Sequence, residues 1–319
     1  CNRRCRIADG GFGFCKVRKN TKGILHTLAY GKTLTMSIDP IEKKPLFNFM
    51  PGTQCMGVST YGCNFTCLHC QNSEISQGWT AQALQAVPYT DPEEIVRQTL
   101  NAEIGGIAYT YTEPTVFAEY ALDTMRIARE NGLYNVWVSN GYMTREAANE
   151  IAPLLDAINI DLKGDARFYK EVCGNADIKH VKENIVRFHK KGVHVEVTNL
   201  IVPGYNDKDE QVKAVAEFIA GISPEMPLHF SAFSPQWKLN YLAATSPSAV
   251  HKARHIAEKA GLKYVYTGNI AGEENITKCK GCGSTLIFRH NYFAEFAGLK
   301  DGGKSNKCEK CGVENNIIV

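Results

Sequence analysis

Gln54-Cys55-Met56-Gly57-Val58-Ser59-Thr60-Tyr61-Gly62-Cys63-Asn64-Phe65-Thr66-Cys67-Leu68-His69-Cys70-Gln71-Asn72 joins a short apolar strand, Gln54–Ser59, to three cysteines spaced CX3CX2C. Thiolates that close in sequence reach one small volume. Iron–sulfur clusters take cysteine thiolates and a cubane has four irons, so three protein ligands leave one iron open. An open iron in a cage of sulfur is a place where a small molecule binds and is reduced, which is a catalytic arrangement. The rival is a zinc knuckle lacking its fourth ligand. Zinc sites pair CX2C with a second CX2C or with histidines, and the triplet has no such partner nearby.

Outward from the triplet, between about residues 53 and 270, short apolar or β-branched runs alternate with amphipathic stretches of helix length. The predicted strands are Gln54–Ser59, Gly106–Tyr111, Asn135–Ser139, Ala157–Leu162, His194–Ile201, Leu228–Phe233 and Tyr264–Thr267. The predicted helices lie near Pro92–Glu103, Thr115–Asn131, Arg145–Leu155, Ile178–Lys191, Asp209–Ala220 and Ser248–Ala260, several closing on glycine, as at Gly132, Gly192 and Gly261. Strands separated by single helices imply βαβ crossovers and a parallel sheet. The fold class is therefore α/β, a partial or full parallel β/α barrel. Residues 1–52 read as an ordered, cysteine-containing lead-in in which prolines at 40 and 45 forbid a continuous helix. Residues 53–274 read as the barrel and 275–319 as a small metal-binding tail.

In such barrels the chemistry sits on the loops after the strands. The triplet follows the first strand, Glu113 the second, Asn140 the third, Asp161 to Gly164 the fourth and Pro203 to Asp207 the fifth. Polar residues thus converge on one rim. Each also has a plain local reading: Glu113 as a helix cap, Asn140-Gly141 as a turn, Asp161 and Lys163 as a solvated rim, His229 as a satisfied core histidine.

The bulk numbers exclude several classes. A net charge of +3 over 319 residues gives no argument for nucleic acid, and no apolar run is long enough to span a membrane. Twelve cysteines in a chain this long, clustered at metal-ligand spacing, point to a reducing cytoplasm and not to a secreted disulfide scaffold. The chain opens on Cys1 and not on methionine, which suggests that residues precede it and leaves a removed leader open.

The triplet resembles the signature of radical S-adenosylmethionine (SAM) enzymes. That resemblance implies that Cys63, Cys67 and Cys70 hold a [4Fe-4S] cluster, that SAM chelates its open iron, and that one electron then cleaves SAM to a 5'-deoxyadenosyl radical. Thr112-Glu113-Pro114 resembles the form of the family's SAM-amino contact found in relatives of glycyl-radical-activating enzymes. Ser139 and Asn140 resemble its strand-end ribose contacts, and Asp161-Leu162-Lys163 resembles an element near the SAM carboxylate. With Asp39–Leu46, Thr198–Asp207 and Phe230–Pro235, the pattern is similar to the radical SAM member of the AmmeMemoRadiSam system, related to pyruvate formate-lyase activating enzyme. The partners implied are SAM, an electron donor such as ferredoxin or flavodoxin, and a protein substrate; direct action on a small molecule is the alternative.

Two further cysteine groups remain. Cys279-Lys-Gly-Cys282-Gly283 and Cys308-Glu-Lys-Cys311-Gly312 are paired CX2CG knuckles that close locally on one tetrahedral ion, as in a zinc ribbon or a rubredoxin-like iron site. Cys1, Cys5 and Cys15 supply three thiolates without a fourth, so a further metal or Fe–S site and free thiols both stand. Cys55 and Cys173 read as buried apolar residues.

Overall fold

A computed structural model describes residues 1–319. The lead-in forms a hairpin of β1 (Arg18–Thr21) and β2 (Ile24–Thr27), followed by β3 (Thr35–Pro40). The barrel strands are β4 (Gln54–Ser59), β5 (Gly106–Tyr109), β6 (Tyr134–Ser139), β7 (Ala157–Asp161), β8 (His194–Ile201), β9 (Leu228–Ala232) and β10 (Val265–Gly268). They pair in sequence order and in parallel, with β3 added antiparallel at the β4 edge. β10 and β3 do not pair, so the barrel is partial.

Burial explains the strand sequences. β5 is buried along its whole length and β8 at all but Leu200, because helices cover one face and the barrel interior the other. Helix Ile178–Lys190 shows the matching pattern: it buries Val181, Asn184, Ile185 and Phe188, one stripe at helical spacing, and Asp177 caps its first turn.

Three boundaries differ from expectation for local reasons. The second strand stops at Tyr109 because Tyr111 takes φ +65°, outside extended backbone. The predicted helix from Thr115 begins as a 3-10 turn, Pro114–Phe117, before the α-helix Ala118–Glu130. The predicted helix to Leu155 leaves α-geometry after Ile151, where Pro153 has no N–H to donate. β1 to β3 were not legible among the glycines and prolines of the lead-in.

After β10 the chain forms a three-stranded antiparallel sheet, β11 (Glu274–Lys278), β12 (Thr285–His290) and β13 (Phe293–Phe296). The tail does not stand apart from the barrel. Arg289 on β12 and Glu42 after β3 form an ion pair (3.4 Å) with neither side chain exposed. The Arg289 guanidinium also donates to Thr277 and to the Phe47 carbonyl, and lies over the Phe47 ring at 4.7 Å. Met50 donates to the Ile318 carbonyl, and the Asn48 side chain to that of Asn316. Glu42 Oε2 has no partner, and burial, opposed by Arg289, pushes its carboxyl above its ordinary pKa. Removing one member of a buried pair leaves an uncompensated group, so Arg289→Met is expected to lower unfolding free energy by about 3–5 kcal/mol. Anaerobic denaturant titration measures it; a loss below about 1 kcal/mol would show that the pair is dispensable.

Candidate functional site

The loop after β4 carries Cys63, Cys67 and Cys70 into a cleft of about 550 Å³ at the ends of the parallel strands. Glu113, Ser139, Asn140, Asp161 and Lys163 line the same cleft, so every barrel residue predicted for the site is brought together. Cys67 is buried, and Cys63 and Cys70 are partly so.

Two of the three sulfurs have hydrogen-bond partners. The Phe65 amide donates to Cys63 Sγ (3.4 Å), and Ser76 Oγ lies 3.2 Å from Cys70 Sγ. Such bonds to sulfur tune iron–sulfur potentials. The three Sγ atoms form no group within 4.8 Å of one another. One tetrahedral ion with bonds of about 2.3 Å holds its sulfurs roughly 3.8 Å apart, whereas cysteines on separate irons stand wider. Between them His69 is 5% exposed, its Nδ1 has no partner, and burial followed by the charge of Lys163 brings its pKa down to about 3. An orphaned imidazole nitrogen in a cleft lined by three thiols fits a bound polar molecule there.

Glu113 organises the next two loops. Its Oε1 accepts from Ser139 Oγ (2.8 Å), the Thr115 amide (3.1 Å) and Thr115 Oγ1, and its Oε2 accepts from the Asn140 amide (2.8 Å). It is thus the helix cap that one reading expected, and also the tie between β5 and β6. Burial pushes its carboxyl above the ordinary value, against these donors. Asn140 Nδ2 donates to Asn64 Oδ1 (2.7 Å) and stands 3.9 Å from Cys63 Sγ. Lys163 Nζ pairs with Asp161 Oδ2 (2.9 Å) with its side chain 13% exposed, which rules out a simple solvated rim. Burial would lower the Lys163 pKa; Asp161, Cys67 and Cys173 outweigh it and hold the ammonium charged.

Sequence reasoning missed several neighbours. Cys173, read as an isolated buried residue, is wholly buried near Cys67, and its thiol holds the Cys67 pKa below the ordinary value. Lys44, 1% exposed, lines the cleft and donates to Asp39 (2.7 Å) and to the Tyr111 hydroxyl (3.1 Å), which itself bonds Asp39. Burial would raise the Asp39 carboxyl; bonds from Lys43, Lys44 and Tyr111 hold it well below the usual range. The available signal was Gly57: a Cβ there would stand 2.9 Å from the Tyr111 hydroxyl and 3.0 Å from Lys44 Nζ. His229 is a core residue, hydrogen-bonded to Glu196 (2.6 Å).

The tail presents a different centre. The Sγ atoms of Cys279, Cys282, Cys308 and Cys311 all lie within 4.8 Å of one another, the gathering one ion requires. The Gly281 amide donates to Cys279 Sγ (3.4 Å). Cys1, Cys5 and Cys15 line a separate cavity of about 400 Å³. No helix is long and apolar enough to cross a membrane.

The Radical SAM superfamily profile matches residues 58–219, which hold the triplet, Glu113, Ser139, Asn140, Asp161 and Lys163. The chain belongs to the radical SAM superfamily. Membership implies an enzyme with a [4Fe-4S] cluster and SAM, and the donor set above fits both. This radical SAM protein is 44% identical to the uncharacterized protein MJ0808 of Methanocaldococcus jannaschii across the whole chain and 94% of that protein. It is 23% identical to pyruvate formate-lyase 1-activating enzyme of Escherichia coli, over 64% of this chain and 89% of that enzyme. In fold it is similar to a radical SAM methyltransferase from Sphaerobacter thermophilus (TM-score 0.53, 15% identity, 70% of this chain and 68% of that one).

Proposed function

We propose that the protein is an activating enzyme: it cleaves SAM reductively at a [4Fe-4S] cluster held by Cys63, Cys67 and Cys70 and removes a hydrogen atom from a glycine of a partner protein. The observation that carries this reading is the convergence in one cleft of the triplet with Glu113, the Ser139–Asn140 pair and the Asp161–Lys163 pair. The cluster, when bound, supplies the electron that breaks the sulfonium bond of SAM.

The chain's own residues bind and orient. Glu113 Oε2 accepts one amide and keeps acceptor capacity for the amino group of SAM. Asn140 and Ser139, fixed by that carboxylate, offer donors and acceptors to the ribose. The Lys163 ammonium, held by Asp161, faces the carboxylate of SAM. The similarity to an activating enzyme over most of its length supports a protein substrate. Under this reading the chain is the radical SAM member of the AmmeMemoRadiSam system, working in the cytoplasm with ferredoxin or flavodoxin as donor and with zinc, or a rubredoxin-like iron, at Cys279, Cys282, Cys308 and Cys311.

A second reading, direct reaction on a small molecule, draws on Lys43, Lys44 and Tyr111, which line the same cleft, are held by Asp39 and could anchor a polar substrate. Incubation under reducing, anaerobic conditions with SAM and an extract whose proteins carry α-deuterated glycine separates the two. The activase reading predicts deuterium in 5'-deoxyadenosine and, in the macromolecular fraction, a glycyl-radical signal that is a doublet with unlabelled glycine and collapses to a single line when the remaining α-hydrogen is deuterium. Turnover driven only by the low-mass fraction, without deuterium, overturns it in favour of the small molecule.

A further inference from the structure

We propose that Cys1, Cys5 and Cys15 hold a second iron–sulfur cluster, seated behind the Cys63–Cys70 loop as the entry point for electrons. The site itself is independent of the proposed function; its role as a relay rests on that reading.

All three cysteines line one cavity of about 400 Å³, Cys15 buried and Cys1 and Cys5 exposed. Their sulfurs, like those of the central triplet, form no group within 4.8 Å, although the four tail cysteines of the same chain are already gathered that closely. One tetrahedral ion would hold its sulfurs closer than this, whereas a cluster takes each thiolate on an iron of its own. The Phe14 amide donates to Cys5 Sγ at 3.4 Å, repeating the bond from Phe65 to Cys63. Glu119 and Glu150 also line the cavity, and Glu119 pairs with Arg18, which leaves Arg3 and Arg4 there to offset the negative charge that three thiolates bring.

The position points to a role. Gly62, directly before Cys63, takes φ +97°, and a Cβ on it would stand 2.8 Å from the Cys15 carbonyl. The absence of a side chain therefore lets the two cysteine loops touch. Arg3 Nε donates to the Asn64 carbonyl (2.8 Å), while the Asn64 side chain accepts from Asn140 inside the SAM cleft. Asn64, one residue after Cys63, thus lines the one cavity and bonds a residue that lines the other. Residues 1–22 carry seven cationic side chains against Asp9 alone, in a chain whose net charge is only +3. Arg4, Arg6, Lys16 and Lys22 are exposed. Such a face fits an acidic one-electron carrier protein. In the relay the carrier is oxidised by one electron, the second cluster is reduced and then reoxidised by the first, and no bond forms or breaks before the electron reaches SAM.

Acid-labile sulfide in the anaerobically reconstituted full chain tests the site, since a mononuclear tail metal contributes none. About eight sulfides per chain are expected, falling to about four in Cys5→Ala, with the remaining electron paramagnetic resonance (EPR) signal still perturbed by SAM. Cys5 is exposed, so this variant does not threaten the core. A wild-type chain with about four sulfides, or Cys5→Ala with about eight, overturns the site while leaving the radical chemistry standing. For the relay, Cys5→Ala should slow SAM cleavage about tenfold with a flavodoxin as donor, in a salt-sensitive way, and little with dithionite. Equal slowing with both donors overturns the relay.

Discussion

Alanine at Cys63, Cys67 and Cys70 together is expected to abolish formation of 5'-deoxyadenosine from SAM, the largest effect any change in this chain should have. Loss of all three thiolates removes every protein bond to the cluster. The variant should keep its tail metal, because Cys279, Cys282, Cys308 and Cys311 close on one another. Circular dichroism and metal analysis establish that it is folded; cleavage of SAM by the folded variant would sink the assignment.

Glu113→Gln is expected to weaken SAM binding about tenfold or more while the cluster still assembles. A hydrogen bond to a charged group is worth about 1.5–3 kcal/mol, and about 1.4 kcal/mol is a factor of ten. Two losses combine here. The ammonium of SAM loses its anion, and the new amide group meets positions already occupied by donors, since both Glu113 oxygens accept from protein. Ser139 and Asn140 should shift with it. Anaerobic titration with SAM checks the affinity, and the EPR signal of the reduced cluster without SAM checks the assembly. Unchanged affinity would make Glu113 a cap and a loop tie only.

The barrel was legible because its strands are buried on both faces and its helices carry one apolar stripe, patterns that survive without tertiary information. His194–Ile201 reads correctly to the residue for that reason. The cleft was legible from strand ends: once the order of strands is known, residues that follow them must share a rim. What could not be read were contacts made across the sequence. The Lys44–Asp39–Tyr111 cluster joins the lead-in to the loop after β5, and only the space left by Gly57 hints at it. The same holds for the tail, whose knuckles suggest a local unit. The buried Arg289–Glu42 pair, about 250 residues apart in sequence, shares its core with the barrel instead.

The central claim is reductive cleavage of SAM at the Cys63–Cys70 loop. Its most direct test is anaerobic reduction of the reconstituted chain in the presence of SAM, followed by quantification of 5'-deoxyadenosine and methionine. Equal amounts of the two, dependent on reductant and on the three cysteines, are predicted. A reduced cluster that binds SAM and leaves it intact would contradict the account.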